Sequence, residues 1–165
     1  MRGIGVDTVA INVWEFQDNE NSTVIAPDYS LYSSSEASLR HAIQKAQSLG
    51  MNVILKPNVD LRNGNWRSFI NPSNAWFSAY DTFIRKYATI AQQEGVHMLS
   101  IGTEFGNAQT WTSSWRGIAS SARSVYGGQL TYSANHGAEE DVAWWDAVDQ
   151  IGINAYYPLS TNANP

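Results

Sequence analysis

Cysteine is absent from this chain of 165 residues, and charged residues make up only 15% of it. Without cysteine, neither a disulfide nor a zinc site with thiolate ligands can support the fold. No apolar stretch reaches the length of a membrane span, and the N-terminus lacks the basic and apolar regions of a signal peptide. We therefore expect a soluble protein with no membrane partner, and secretion would require a signal that was removed ahead of Met1.

Basic residues are few, and the motifs of several common enzyme classes are missing. The net charge is -5 and no Lys/Arg cluster is present, which argues against nucleic acid as a partner. The sequence has neither a Gly-rich phosphate loop nor a G-x-S-x-G elbow. His41, His97 and His136 lack the spacing of metal ligands, so we expect no metal and no cofactor.

Aromatic residues are the main compositional feature that is present. The chain has seven Trp and eight Tyr, and aromatic residues account for 12% of it. Aromatic rings fill protein cores, and they also stack on the apolar C–H faces of sugars. Composition does not separate these two uses, so the position of each ring along the chain has to decide.

Short apolar runs alternate with amphipathic helical patterns along the chain, which is typical of parallel βα units. The runs predict strands over 8–16, 51–57, 97–104, 130–134 and 151–157. The patterns between them predict a helix capped by Ser34 or Ser35, a helix capped by Asn71 with Pro72 in its first turn, a helix over about 112–126 and a short helical segment around 139–148. The tail over 160–165 is polar, and we expect it to be frayed.

The fold class that follows is α/β, a partial (half) TIM barrel of about five parallel strands with four crossover helices. A complete barrel needs about 200 to 250 residues, so we expect residues 1–165 to form a single incomplete β/α-barrel domain. Five strands cannot close a barrel, which leaves the first and last strands as edges. Because unpaired edges invite association, we expect a homo-oligomer that forms through them.

Glu104 is the leading candidate for chemistry. The run LSIGTEF places it directly at the end of a predicted strand, between Gly102 and Gly106. Residues at the C-terminal ends of parallel strands line the functional face of a β/α barrel. Glu104 could instead be a solvated acid in an ordinary loop, but an acid that follows a buried strand favours a catalytic role.

The other predicted strand ends and loops supply candidate substrate-binding residues, because strand ends converge on one face. Each has a structural alternative: Lys56 could only form an ion pair, and Asn135 with His136 could only form a turn. Loop tryptophans such as Trp66 and Trp111 are candidates for sugar stacking. The set is Trp14, Lys56, Asn58, Asp60, Trp66, Asn135, His136 and one of Tyr156 and Tyr157, of which Tyr156 is preferred.

Five segments in order resemble one enzyme family. They read VILKPNVDL, WFSAYDTFIRKYA, LSIGTEF, LTYSAN and WWDAVDQIGINAYYPL, and they resemble glycoside hydrolase family 113, whose members are β-mannanase-like and belong to a clan of retaining β/α barrels. The resemblance covers nearly the whole chain. It implies that the five strands correspond to the second to sixth of such a barrel, that Glu104 is the general acid/base, and that the substrate is a β-linked polysaccharide, mannan or glucan.

Two departures from the family pattern bear on activity. Thr103 stands where the wider clan usually has an Asn that holds the sugar 2-hydroxyl, although the GTE form itself resembles this family. The family's nucleophilic Glu ends a seventh strand, which this sequence lacks along with the first and eighth. Retention needs two carboxyl groups about 5 to 5.5 Å apart and inversion about 6.5 to 9.5 Å. Glu15, Asp60 and Asp146 are the candidates for a replacement.

Three hypotheses follow from the sequence. The first is a glycoside hydrolase that works through an improvised carboxyl pair or through the assembly of two chains. The second is a non-catalytic carbohydrate-binding or structural half-barrel that lacks the nucleophile, and the third is a fragment of a larger glycosidase. Hydrolysis of mannan or glucan that is lost in Glu104→Gln would favour the first hypothesis, and binding without hydrolysis would favour the second.

Overall fold

The computed structural model describes residues 5–158, and they form one parallel sheet flanked by helices. The strands occur in the sheet in the order in which they occur along the chain. This confirms the predicted half-barrel of five parallel strands, with the first and last at its edges. The strands are β1 (Thr8–Gln17), β2 (Asn52–Leu61), β3 (Met98–Thr103), β4 (Gln129–Asn135) and β5 (Gln150–Asn154), and the helices are α1 (Glu36–Ser48), α2 (Asn74–Gln93) and α3 (Thr112–Arg123).

Helix α1 begins where the sequence predicts and α2 begins later. The Ser35 hydroxyl accepts a hydrogen bond from the backbone N–H of Ser38 and caps α1. The cap of α2 is Ser73, whose hydroxyl accepts from the backbone N–H of Trp76 at 3.1 Å. The predicted cap, Asn71, is wrong, because its side chain instead donates to Asn21 in the β1–α1 loop at 2.9 Å.

Strand β2 continues past the proline at which the sequence predicts its end. Pro57 pairs in register with Val13 of β1, and this pairing extends to Leu61. The register between β2 and β3, in contrast, stops at Leu55. Proline has no backbone N–H to donate to a neighbouring strand. It is tolerated within β2 because the pairing with β3 has already ended at this position. Asn58 and Asp60 therefore lie in the strand and not in the loop where the sequence puts them.

The fourth crossover is not an α-helix. Two short 3₁₀ helices, Glu139–Asp141 and Trp145–Ala147, occupy the segment for which the sequence predicts a helix. Trp144 lies between them, is fully buried, and stacks on Trp115 of α3 with ring centroids 5.0 Å apart and planes 8° from parallel. Its indole N–H donates to the backbone oxygen of Gln109 at 2.8 Å. The buried and hydrogen-bonded Trp144 therefore attaches the fourth crossover to the core, where the other crossovers use a helix.

The core lies between the helices and the outer face of the sheet, and aromatic side chains dominate it. Tyr80 stacks on Trp76 at 4.8 Å, and its hydroxyl donates to the backbone oxygen of Ile101 at 3.0 Å. The Trp76 indole donates to the buried side chain of Gln17 at 2.8 Å. Buried aromatic rings with satisfied polar atoms contribute strongly to stability, so most of the aromatic content serves the core.

The opposite face of the sheet has a mixture of apolar and polar side chains, with Ile54, Met98 and Ile153 beside Lys56 and Thr131. A trough of about 350 Å³ runs along it, lined by residues that include Lys56, Ser133 and Asn154. The side chains at its C-terminal end form the candidate site. No helix among residues 5–158 is long and apolar enough to cross a membrane. Secretion, a single domain and association through β1 and β5 stay predictions, and the tail over 160–165 lies outside the described residues.

Candidate functional site

Glu104 follows the last residue of β3 and has a backbone φ of 60°. Within residues 5–158, it is the one residue other than glycine with a positive φ. Its N–H donates to the backbone oxygen of Ser133 at 2.9 Å, and its backbone oxygen accepts from Gly106 at 3.1 Å. This left-handed conformation costs about 1 to 3 kcal/mol in a residue with a side chain. Such strain is concentrated at functional positions, which agrees with the role expected for this acid.

The carboxylate of Glu104 is held by donors from two other parts of the chain. Its Oε1 accepts a 2.7 Å hydrogen bond from the amide nitrogen of Asn154 at the end of β5. Its Oε2 accepts from the indole N–H of Trp66 at 3.3 Å and lies 3.7 Å from Nη1 of Arg67, both in the β2–α2 loop. The side chain keeps 16% of its surface exposed. The acid is therefore fixed in orientation and still open to a ligand.

Lys56 supports this arrangement from β2. Its ammonium group donates to Oδ1 of Asn154 at 3.5 Å. Because an ammonium group only donates, the contact assigns the amide oxygen of Asn154 to Lys56 and the amide nitrogen to Glu104. Burial is the main cause that lowers the pKa of Lys56; Arg67 adds to the lowering, and the Glu104 carboxylate opposes it.

Arg67 connects Glu104 to a second carboxylate. Its Nε and Nη2 atoms each lie 2.7 Å from Oδ1 of Asp60, and its Nη1 donates to Asn58 at 3.2 Å. The other oxygen of Asp60 accepts from the Tyr32 hydroxyl at 2.7 Å. Burial and the hydrogen bond to Asp60 raise the pKa of Tyr32 to about 12, so this hydroxyl stays a donor at neutral pH.

Five of the residues singled out from the sequence meet in this network. They are Glu104 and four of the proposed binding residues: Lys56, Asn58, Asp60 and Trp66. The ends of three strands and two loops supply the network once Asn154 and Tyr32 are included. A neighbour of the network, the half-buried Trp14, packs edge-on against the Tyr32 ring at 5.4 Å.

The other three proposed binding residues lie at the far side of the site. Asn135 is half-buried at the end of β4 and pairs in register with Asn154. His136 is exposed and its ring packs against Tyr157 at 5.4 Å. Tyr156 follows β5 and is 76% exposed. Their role in binding stays a prediction.

Three residues of the network were missed by the sequence reasoning: Arg67, Asn154 and Tyr32. Asn154 could have been selected from the sequence, because it is the last residue of β5. The predicted strand ended instead at Tyr157, so the rule that selects strand-end residues passed over Asn154. Arg67 begins the short 3₁₀ helix Arg67–Phe69 in the β2–α2 connection, and Tyr32 lies in the β1–α1 loop. Loop conformation brings them to Asp60, and no spacing in the sequence encodes that contact.

The three candidate replacements for a nucleophile have different surroundings. Glu15 is buried and accepts from the ammonium of Lys86 at 2.7 Å and the hydroxyl of Tyr87 at 3.0 Å, both on α2. Asp146 pairs with Arg116 at 2.7 Å. Asp60 shares Arg67 with Glu104. Of the three, Asp60 is joined to the acid, and it is already neutralised by a cation.

Thr103, the residue before the acid, does not expose its hydroxyl. The Oγ1 atom is buried, and no hydrogen-bond partner for it is found in the part of the chain that the structure describes. It is therefore out of reach of a ligand bound at Glu104 in this conformation. Over the same described range, no group of three or more His, Asp or Glu side chains could hold a metal ion.

Comparison with protein families matches residues 1–164 to Glycoside Hydrolase Family 113. The chain belongs to glycoside hydrolase family 113. The family resemblance expected from the five sequence segments is thereby confirmed. No curated protein matches the chain.

Solved structures of family 113 are similar to this family member over most of its length. A GH113 β-1,4-mannanase has a TM-score of 0.88 at 33% identity, covering 92% of this chain and 52% of that one. The GH113 β-mannanase AaManA from Alicyclobacillus acidocaldarius, in complex with ManMIm, has a TM-score of 0.87 at 32% identity, covering 92% and 51%. This chain thus spans about half the length of the mannanases it matches.

A more distant structure shares the fold alone. One of two fungal β-1,4-galactanases has a TM-score of 0.62 at 12% identity, covering 92% of this family 113 chain and 53% of that one. The likeness agrees with a sheet built from consecutive βα units. It says nothing about the sugar that this chain recognises.

Proposed function

We propose that this family 113 chain binds β-1,4-linked mannan at the C-terminal end of its sheet, with Glu104 as the general acid/base of glycoside hydrolysis. The observation that carries the proposal is the Glu104 carboxylate at the end of β3, fixed by Asn154 and Trp66 and 16% exposed. A general acid has to reach the glycosidic oxygen in one orientation. The two family 113 neighbours named above are β-mannanases, which supports mannan as the polysaccharide partner.

In this proposal, Glu104 donates its proton to the leaving oxygen as a second carboxylate attacks the anomeric carbon and the glycosidic bond breaks. Water then hydrolyses the resulting glycosyl ester, Glu104 accepts a proton from that water, and the second carboxylate is released. The second carboxylate comes from an improvised pair within the chain or from a second copy of it. The hydrogen bonds to both carboxylate oxygens keep the group from rotating away between these steps. A positioned acid/base of this kind contributes about 10²- to 10⁴-fold to the rate. The sugar would lie over Trp66, whose exposed ring also contacts the acid.

The test is hydrolysis of β-1,4-mannohexaose by the wild-type chain and by Glu104→Gln, followed by chromatography of the products. We expect turnover by the wild type and a loss of about 10²-fold or more in the variant. Glu140→Gln is the matched control, because Glu140 is an exposed acid in the β4–β5 connection. Turnover that persists unchanged in Glu104→Gln would remove Glu104 from the acid/base role.

A second candidate function is binding of the same polysaccharide without cleavage. It is favoured by the state of Asp60, the carboxylate joined to Glu104, which is paired with Arg67 and hydrogen-bonded to Tyr32. A carboxylate held in this way is a poor nucleophile. Calorimetric titration with mannohexaose separates the candidates: binding by a wild-type chain that yields no products supports this second function, and products support the first.

A further inference from the structure

A groove lies on the outer surface of the protein, between the N-terminal halves of α2 and α3. Its volume is about 390 Å³, and residues of both helices line it, among them Asn74, Phe77, Asp81, Ser114 and Gly117. We call it the helix groove. Phe77 forms its floor and packs edge-on against the fully buried Trp115 with ring centroids 5.6 Å apart. Because Trp115 belongs to the core, the core lies between the helix groove and the sheet, and the groove is separate from the site around Glu104.

Small side chains keep the helix groove open. Ser78 on α2 and Ser114 and Gly117 on α3 contribute to its lining. A Cβ added to Gly117 would meet nothing within 4 Å. Larger side chains at these positions would fill the space between the two helices. The sequence therefore leaves a groove where two packed helices could have closed their common surface.

The polar groups of the helix groove have no partners in the part of the chain that the structure describes. The half-buried carboxylate of Asp81 makes neither a hydrogen bond nor an ion pair with any of residues 5–158. Arg85, one turn further along α2, instead donates to Ser121 and Ser124 at 3.3 and 3.0 Å. The Ser114 hydroxyl is unpaired over the same range. A carboxylate accepts several hydrogen bonds and a hydroxyl both donates and accepts, so these groups are available to a polar ligand.

Trp111 lies at the N-terminus of α3, beside the helix groove. Its side chain is 38% exposed, and its ring lies 5.7 Å from the Phe77 ring, with the planes 32° apart. The indoles of the buried Trp76, Trp115 and Trp144 each donate a hydrogen bond, whereas the Trp111 indole N–H has no acceptor among residues 5–158. The sequence predicts Trp111 as a sugar-stacking residue, and the candidate site does not use it. Its ring and its donor are therefore open to a ligand.

This combination of groups matches a neutral, hydroxylated sugar ring. An exposed aromatic ring stacks on the apolar C–H face of a pyranose, and sugar hydroxyls both donate to a carboxylate and accept from an indole N–H. None of the described residues that line the groove is Lys or Arg, so the lining does not match an anion. An ammonium or guanidinium group could pair with Asp81, but it only donates and would leave the Trp111 N–H without an acceptor.

We propose that the helix groove, with Trp111 at its edge, is a second binding site for a pyranose ring of a neutral polysaccharide. It lies apart from Glu104 and holds the chain without cleaving it. The volume of about 390 Å³ is within the range of ligand pockets, about 300 to 1,000 Å³. The inference rests on the proposed function for the identity of the polysaccharide, β-1,4-linked mannan. A mannan chain long enough to reach both sites binds more tightly than at either alone, because the second contact is then intramolecular.

Two-dimensional ¹H–¹⁵N NMR of the indole N–H groups reads the two sites separately. Mannotetraose is titrated into the Glu104→Gln variant, so that the ligand is not cleaved. Adding Trp111→Phe or Trp66→Phe to this variant removes one indole resonance each and thereby identifies both. We expect the Trp111 and Trp66 resonances to shift with saturation, each following its own affinity.

Removal of the free carboxylate tests whether the helix groove itself binds the sugar. Asp81→Ala should weaken the affinity read at Trp111 about five- to tenfold, the value of a hydrogen bond to a charged group, and leave the curve at Trp66 unchanged. Asp141→Ala removes an exposed acid from the β4–β5 connection and is the control. Equal curves at Trp111 in these two variants would overturn the role of the groove. Circular dichroism checks that both variants fold.

The outcomes separate this inference from the proposed function. If the Trp66 resonance shifts and the Trp111 resonance does not, the helix groove is not a sugar site and the proposed function stands. If Trp111 alone shifts, the groove binds the sugar and binding at Glu104 fails; if neither shifts, both fail. Pentalysine is titrated as the cationic alternative. A Trp111 resonance that shifts with pentalysine and not with mannotetraose would assign the groove to a basic partner and overturn the proposal.

Discussion

The side-chain amide of Asn154 donates a 2.7 Å hydrogen bond to Oε1 of Glu104 and thereby joins the end of β5 to the end of β3. Strand β4 lies between these two strands in the sheet. The amide cannot rotate freely, because its oxygen accepts from Lys56 of β2. The orientation of the acid therefore depends on the relative positions of three strands.

Asn154→Ala should lower the free energy of unfolding by about 1 to 2 kcal/mol. The variant removes a hydrogen bond to a largely buried carboxylate and the acceptor of Lys56, and bonds to charged groups are worth about 1.5 to 3 kcal/mol. Urea denaturation measures the change. Asn52→Ala, at an exposed position of β2, is the control and should change stability by less than about 0.5 kcal/mol. Equal effects of the two variants would contradict the contact.

Glycine at position 104 should be more stable than alanine at the same position by about 1 kcal/mol. Both variants lose the contacts of the carboxylate, so the comparison isolates the backbone. A φ of 60° is strained for alanine and free of strain for glycine. Thermal and urea unfolding of Glu104→Ala and Glu104→Gly test this order. An alanine variant that is the more stable would show that the strained backbone relaxes once the carboxylate is gone.

Gly102→Ala should be destabilising by about 1 to 3 kcal/mol because a methyl group has no room there. A Cβ at Gly102 would lie 2.8 Å from the Trp115 ring and 2.9 Å from the Tyr132 ring. Gly117→Ala is the matched control, since a Cβ on that exposed helical glycine meets nothing within 4 Å. It should stabilise α3 by about 0.5 to 1 kcal/mol. Denaturation curves that shift in the same direction for both would exclude close packing at Gly102.

Tyr32→Phe should remove a part of the alkaline pH dependence of stability. Burial and Asp60 raise the pKa of Tyr32 from 10 to about 12 in the folded protein. A raised pKa means that the folded state keeps the proton longer, so this contribution is complete below pH 10 and is lost as pH rises through 12. The stability difference between wild type and variant should therefore shrink over that window. Urea midpoints at several pH values measure it, and a difference independent of pH would contradict the shift.

The sequence predicts the parts of the fold that depend on local patterns. Continuous apolar runs identify the strands, and buried stripes at helical spacing identify the helices, as with Tyr80 and Ile84 on α2. The parts that fail depend on tertiary context. Pro57 stays inside β2 because of where its pairing with β3 stops, and the buried Trp144 replaces a helix as the anchor of the fourth crossover.

The residues of the candidate site also divide into those that local sequence patterns predict and those that depend on tertiary context. Glu104 and Lys56 can be selected from the sequence because each lies in or directly after an apolar strand. Arg67 and Tyr32 cannot, because loop conformation brings them to Asp60. The hydrogen bonds that orient the Glu104 carboxylate come from residues that are distant in the sequence. They form only in the folded chain, so local sequence patterns do not predict them.

The order of strands in the sheet has a consequence for how the chain acquires its structure. Each strand pairs with the strand before it in the chain, so βα units can add one at a time from the N-terminal end during synthesis. The partner of Glu104 at 2.7 Å belongs to β5, which follows the other four strands within residues 5–158. Glu104 is synthesised before β5, so its carboxylate acquires this hydrogen bond only when β5 docks.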